Sequence, residues 1–402
     1  MKTIGIIAEF NPFHNGHKYI IEKSRQETSA DYCVVVMSGD FVQRGAPAIV
    51  DKFARAKMAL SCGADLVLEL PIYYSLGSAE FFASGAVSIL DSLGVIDHLC
   101  FGSESGDLAS LTSIARVLCD EPEAFKSTLA KELKDGKSFP AARAAALSTV
   151  LDFSPEILDS PNNILAIEYL KALYKRDSHI QPCTILRKGE SFHSQELNEF
   201  SSATAIRKAL ENENSSVSAV NLAMPTDAFS FLKEYSGKYL DSDAFSQFLS
   251  YKLIQESDEV FEKYLDISGD FSNKIANEYR INDSFSVLCD RLKSKDLSYS
   301  RISRSLFHIL LNITGSNMTE YQSDNYTSYA RILGFRKESS KLLSDIHEMA
   351  TIPVLDRLKD ASTLLSPLQL RLFKETLNAS RVYNILSQTG TESEFSLKNI
   401  IL

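Results

Sequence analysis

The chain has no tryptophan, only 6 cysteines and only 11 prolines in 402 residues. The cysteines stand far apart, at 33, 62, 100, 119, 183 and 289, without a single C-x-x-C pair. That argues against a disulfide framework and against a structural zinc site, and for buried reduced thiols. No apolar run reaches the roughly 18 residues of a membrane helix, and the start, Met1–Glu9, lacks the length and cleavage pattern of a signal peptide. A cytoplasmic protein with no membrane contact is the expectation. Positive charge is also scarce: 42 Lys and Arg stand against 52 Asp and Glu, a net charge of -10. Such a balance excludes a chain coated in nucleic acid, although not a local basic surface. With 44% apolar and 23% charged residues, the composition is that of a globular protein, and the length favours two domains.

The first half alternates short apolar runs with helical spacing. Thr3–Ala8, Tyr32–Met37, Leu66–Leu70, His98–Phe101 and Thr184–Leu186 read as strands. Gly16–Ser29, Phe53–Cys62, Ser78–Leu93 and Ser202–Leu210 read as helices. This alternation predicts an α/β fold, a Rossmann-like parallel sheet with helices on both faces. A polar stretch at 212–216 reads as a linker. Beyond it helical periodicity prevails, as in Ala244–Ile254, Ser300–Leu311 and Ser339–Ala350. The expected division is a catalytic domain over 1–212 and a mainly helical domain over 213–402.

The most informative stretch joins the first strand to the first helix: Ile7-Ala8-Glu9-Phe10-Asn11-Pro12-Phe13-His14-Asn15-Gly16-His17-Lys18-Tyr19-Ile20. Ligands of parallel sheets bind beyond the carboxyl ends of the strands, and a helix start offers free N–H groups to phosphate. His14 and His17, three residues apart, share one helix face, where two imidazoles can donate to a phosphate as charge builds on it. Two readings compete: ordinary surface or core histidines, and an H-x-x-H metal pair, although no Glu follows His14 and no third ligand is evident. A second motif, Ser202-Ala203-Thr204-Ala205-Ile206-Arg207, opens a later helix. Ser202 suits an N-cap, and Arg207 offers a guanidinium fork to a phosphate.

Phe13-His14-Asn15-Gly16-His17 resembles the H-x-G-H signature of nucleotidyltransferases related to class I aminoacyl-tRNA synthetases, and 202–207 resembles their Ser-x-Thr-x-x-Arg signature. Ala203 stands where many relatives carry a second Ser. More narrowly, the 8–17 stretch, Met37–Gly45, Asp51–Ala56, Phe101–Glu104, Ser160–Asn163 and Arg331–Phe335 resemble the bacterial tRNA(Met) cytidine acetate ligases. The resemblance implies an ATP-dependent ligase. Acetate and ATP would give acetyl-adenylate, and the acetyl group would pass to N4 of the wobble cytidine of elongator tRNA(Met). It implies ATP on residues 7–20, Gly102, Asn162, Asn163, Arg187, Ser202, Thr204 and Arg207, with His14, His17 and Lys18 catalytic. Mg²⁺ is expected with ATP, yet no carboxylate cluster marks a dedicated site.

Gln43 and Arg44 are candidates to hold acetate or the cytosine. Asp51, Lys52 and Arg55 suit a structural ion network, with Lys52 left open. His193 is a candidate proton relay or a solvated side chain. For RNA, Lys293, Lys295, Tyr299, Arg301 and Arg304 form a basic cluster with an aromatic, and Arg331, Arg336 and Lys337 add a second. Two other functions compete. One is a nucleotidyltransferase acting on a small phosphorylated substrate; the other is a non-catalytic RNA-binding protein with a relict pocket.

Overall fold

The computed structural model describes residues 1–188, 198–211, 217–256, 261–389 and 394–402. The expected linker at 212–216 and His193 lie outside them. Among the described residues ten strands form. They are β1 (Thr3–Ala8), β2 (Tyr32–Ser38), β3 (Phe41–Val42), β4 (Ala46–Pro47), β5 (Leu66–Leu70), β6 (His98–Ser103), β7 (Gln181–Leu186), β8 (Ala330–Phe335), β9 (Val354–Leu355) and β10 (Ile400–Ile401). The main sheet has the order β10-β8-β5-β2-β1-β6-β7, with β9 beside β8. From β5 to β7 all neighbours are parallel. Strand order reverses at β1, which sits between β2 and β6, and this is the switch point where such sheets open a crevice. β3 and β4 form a separate small hairpin.

The sheet crosses the expected boundary at 212. β8 pairs antiparallel with β5, and β10 extends the sheet beyond β8. The helical second half also shares the core of the first. Leu66, Leu68 and Leu70 of β5 and Leu99 of β6 belong to one continuous cluster with Ile302, Leu306, Phe307, Leu372 and Tyr383. The opposite sheet face, with Ile4, Ile6, Cys33, Val35 and Cys100, packs under α1 (Asn15–Thr28) and α2 (Lys52–Ser61). The linker signal marked a change of composition, but the later chain returns to complete the sheet it left. Composition along the chain cannot register that return.

The strands form where the sequence places unbroken β-branched and aliphatic runs. Val34, Val35 and Val36 are wholly buried because both sheet faces are covered. Burying each such side chain contributes about 1.5–3 kcal/mol. α2 starts at Asp51, whose carboxylate accepts from the N–H of Phe53 (2.8 Å) and Ala54 (2.9 Å). All six cysteines are free thiols. Among the described residues no helix is long and apolar enough to cross a membrane.

Candidate active site

A cavity of about 500 Å³ opens at the switch point, bounded by the ends of β1 and β6, the start of α1, and the start of the helix Tyr299–Leu311. His14 and His17 both face it. Their local chemistry is a cap. His14 is the N-cap of α1, and its Nδ1 accepts from the N–H of Gly16 at 3.1 Å. The Nδ1 of His17 accepts from the N–H of His14 at 3.2 Å. Each ring therefore spends Nδ1 as an acceptor, which assigns the proton to Nε2 and leaves an Nε2–H donor on each imidazole. The two rings stack with centroids 3.6 Å apart. Gly16 is required here, since a Cβ at that position would stand 2.9 Å from His14 Cε1.

Both imidazoles are held neutral. Burial, then the charges of Arg187 and Arg207, push His14 down to about 3. Burial, His14 and Arg187 push His17 well below the ordinary value. Burial lowers Arg187 and Arg207, Glu104 offsets this at Arg187 and Glu9 and Glu211 offset it at Arg207, and Arg44 lowers both. Arg44, Arg187 and Arg207 line the cavity together, with Glu9 as the one carboxylate among its lining residues. An anion entering this space would relieve both the desolvation and the mutual repulsion.

Two loops hold these groups in place. Buried Arg55 donates from Nε to the carbonyl of Val50 (3.0 Å) and from its guanidinium to the carbonyls of Glu9 (2.7 Å), Ser38 (3.0 Å) and Gly39. It thus ties the loop after β1 to the loop after β2. Glu9 in turn accepts from the N–H of Gln43 at 2.9 Å. Arg207 donates to the carbonyl of Asn11 (2.7 Å) and to Thr204 Oγ1 (3.1 Å), joining the second motif to the first. Ser202 caps its helix through the N–H of Ala205 at 3.2 Å.

The cavity gathers most of the residues expected from sequence. Ile7, Ala8, Glu9, Phe10, Ile20, Gly102, Asn162, Arg187, Ser202, Thr204 and Arg207 line it beside the histidines, as do Gln43, Arg44 and Tyr299. Other members of the 7–20 run support it from outside. Asn11 Oδ1 accepts from the N–H of Ile49 (2.8 Å), and Asn15 donates to the carbonyls of Glu199 (2.8 Å) and Leu222 (2.9 Å). Phe13 is buried against Phe10, Pro12 follows a cis peptide bond, and Tyr19 packs on Phe200. Lys18 does not reach the cavity. One residue past His17 it has turned about 100° around the helix, and it pairs with Glu22 at 3.7 Å. Asn163 is buried beside the cavity, where its Oδ1 accepts from the N–H groups of Glu104 (2.9 Å) and Ser105 (3.2 Å).

Glu104 was missing from the expected site. Its carboxylate takes the N–H groups of Asn162 (3.3 Å) and Asn163 (2.9 Å) and the Asn162 amide (2.6 Å). Ser160 makes no side-chain cap, and Glu104 takes the first N–H groups of that helix while Asn162 stays on the cavity wall. Phe82, Leu165 and Tyr169 give the cavity an apolar wall, and Ser242, Ser300 and Ser303 close it from the helical half. No sequence motif marks these residues, because only tertiary packing brings them together.

The basic clusters separate in space. Lys293 and Lys295 are exposed, Arg301 is half-buried, and Tyr299 stands at the cavity. Arg304 is largely buried, donating to the carbonyl of Gln43 at 3.4 Å. Arg331 is not an RNA-facing residue: it is 2% exposed and paired with Glu69 and Glu394. Its position on β8, inside the sheet, forces that burial. Arg336 follows β8 and donates its N–H to the carbonyl of Asp65, just before β5. Arg336 and Lys337 therefore lie at the amino edge of the parallel strands, opposite the cavity.

Among the described residues no group of three or more His, Cys, Asp and Glu is placed to hold a metal ion. Among the described residues that line the cavity Glu9 is the one carboxylate, and no step below is routed through a metal.

A sheet crevice walled by a capped histidine pair and a serine–threonine–arginine helix start defines a class. The HIGH nucleotidyl transferase family model matches residues 1–397, and the chain belongs to that family. Within it, the chain belongs to the tRNA(Met) cytidine acetate ligase family, a family of ligases. A relative of that name from Clostridium kluyveri is 42% identical over 96% of each chain, and one from Clostridium novyi is 39% identical over the whole of both. The fold is shared with Thermotoga maritima TmcAL. Its crystal structure bound with alpha-thio ATP superposes with a TM-score of 0.91 at 31% identity, and its apo form with 0.93 at 32%, each over all of both chains.

Proposed function

We propose that this protein activates acetate with ATP and acetylates N4 of the wobble cytidine of elongator tRNA(Met). The observation that carries the reading is the paired Nε2–H donors in a cavity lined by three arginines and one acid. The structure of the Thermotoga maritima relative bound with alpha-thio ATP supports it. In the first step an acetate oxygen attacks the α-phosphorus, the bond to the bridging oxygen of the β-phosphate breaks, and pyrophosphate leaves. His14 and His17 would donate to the α-phosphate oxygens, where negative charge gathers in the transition state. Ser202, Thr204 and Arg207 would hold the outer phosphates, and Gly102, Asn162 and Arg187 the nucleoside. Gln43 and Arg44 would bind the acetate.

In the second step the cytosine N4 attacks the acetyl carbonyl, AMP leaves with the C–O electron pair, and N4 loses a proton. Cytosine N4 is a weak nucleophile, so the enzyme contributes mainly by holding the two reactants together. Tyr299 places an aromatic ring at the cavity, suited to an unstacked base.

The direct test is nucleoside mass analysis of elongator tRNA(Met) after incubation with the protein, ATP and isotopically labelled acetate. Labelled N4-acetylcytidine at the wobble position is expected, with AMP and pyrophosphate formed. ATP binding without acetylated cytidine would overturn the reading. A second prediction separates the two substrates. The combined changes Lys293→Glu, Lys295→Glu and Arg301→Glu weaken tRNA binding by about tenfold or more and flatten its salt dependence by roughly two to three phosphate contacts. Acetate-dependent pyrophosphate exchange into ATP stays near normal. Equal loss of both activities would refute this division of roles.

A further inference from the structure

Cys100 and Cys183 stand opposite each other in the register of β6 and β7. Neighbouring strands run about 4.8 Å apart, inside the 4.4–6.8 Å range of Cα separations that a disulfide spans. Both side chains point to the same sheet face, into the core beneath α1. None of the other four thiols is so placed. Cys33 lies on β2, separated from β6 by β1, and is level with His98 rather than Cys100. Cys289 belongs to the core on the opposite face.

The two thiols differ in a way that suits stepwise oxidation. Cys183 is on the outermost strand at its end of the sheet and is partly exposed, whereas Cys100 is wholly buried and faces the cavity. The neighbouring sulfur and then burial push the Cys100 thiol up, while the Cys100 neighbour lowers Cys183. The exposed member is thus the first to react, with a partner poised to resolve it.

We propose that Cys100 and Cys183 form an oxidisable dithiol, which a hydroperoxide converts to an intramolecular disulfide that weakens nucleotide binding in the adjoining cavity. The Cys183 thiolate attacks the peroxide, breaking its O–O bond and giving a sulfenic acid and, after proton uptake, one water or alcohol. The Cys100 thiol then attacks the sulfenic sulfur. The S–O bond breaks, a second water leaves, and the S–S bond forms. Two thiols are oxidised by two electrons while one peroxide is reduced. The consequence reaches the cavity because Gly102 lies two residues beyond Cys100, and Arg187 lies four beyond Cys183. The new bond turns both cysteine side chains out of their thiol rotamers and shifts the strand ends that carry both wall residues, and Arg187 also donates to Asn162 at 3.4 Å. This second part rests on the reading of the cavity as the ATP site.

The test uses the full chain treated with hydrogen peroxide, then alkylated and digested without reduction. A cross-linked peptide pair carrying residues 100 and 183, two hydrogens lighter than the thiol forms, is expected. Oxidised protein should bind ATP about fivefold or more weakly, with full recovery in dithiothreitol. Cys183→Ser and Cys100→Ala should each abolish both the cross-link and the loss of affinity; either one that folds suffices. Both thiols alkylated separately after peroxide would overturn the proposal, as would cross-linked protein with undiminished affinity. Failure of the reduced protein to bind ATP would instead defeat the reading of the cavity, with the cross-link still scored.

Discussion

His17→Asn lowers acetate-dependent pyrophosphate exchange by about 10²–10³ while leaving the fold intact. Asparagine is the informative choice because its Oδ1 takes the place of the ring Nδ1. It can still accept from the N–H of His14, as His17 does at 3.2 Å, but it carries nothing where Nε2–H stood. The same logic holds for His14→Asn, whose Oδ1 can keep the cap on the N–H of Gly16. Alanine at either position removes donor and cap together, so it should add a stability loss of about 0.5–2 kcal/mol to the lost rate. Equal rates for wild type and both asparagine variants would remove the histidines from the chemistry.

The pH dependence of these variants gives a second reading. In the unfolded chain a histidine titrates near 6.5. In the folded protein burial and the arginines hold His14 down to about 3. Between those values the unfolded state binds more protons, so stability falls as pH drops through 6.5 toward 3. His14→Asn should flatten that acid slope in thermal melts recorded against pH. Wild-type pyrophosphate exchange recorded against pH should show no inflection near 6.5 from the histidine pair, because both rings are already neutral there.

The histidine pair was legible from sequence because its determinants are local. Spacing put His14 and His17 on one face, whereas the His14 cap and the room Gly16 leaves for that ring show only in the fold. The second motif was legible for the same reason, through its cap and one helical turn to Arg207. Glu104 was not, although it stands in a stretch the resemblance covered. Its role as the cap of a helix 58 residues away depends on how β6 meets that helix. Lys18 looked catalytic by adjacency, but helical rotation turns it outward. The sheet crosses the expected boundary because strand order departs from chain order, with β8 and β10 returning to the edge of a sheet begun at β1. Arg331 was misplaced on the same account: a basic residue in a basic stretch reads as surface until its strand is seen to lie within the sheet.

Arg331→Met should destabilise the protein by about 3–5 kcal/mol, the usual cost of breaking a buried ion pair from one side. Arg331 holds the carboxylates of Glu69 and Glu394, and Lys52 meets the same two at 2.8 and 3.0 Å. Lys52 also approaches Asp40 at 3.6 Å and donates to Ser380 at 2.7 Å. Methionine leaves three buried carboxylates, Asp40, Glu69 and Glu394, to share one ammonium. Pairing Arg331→Met with Glu69→Met removes the stranded charge and should recover part of the loss, because well-packed apolar groups can replace a buried pair at little cost. Lys52 and Arg331 together hold Glu394 down to about 2, below its value of about 4.3 in an unfolded chain. Its contribution is therefore present above that value and is lost as pH falls toward 2. Arg331→Met should reduce this acid sensitivity in chemical denaturation curves taken between pH 2 and 5. Scaled to folded protein, its tRNA affinity and salt slope should match the wild type. A weakened, salt-flattened affinity with unchanged stability would instead return Arg331 to the RNA surface.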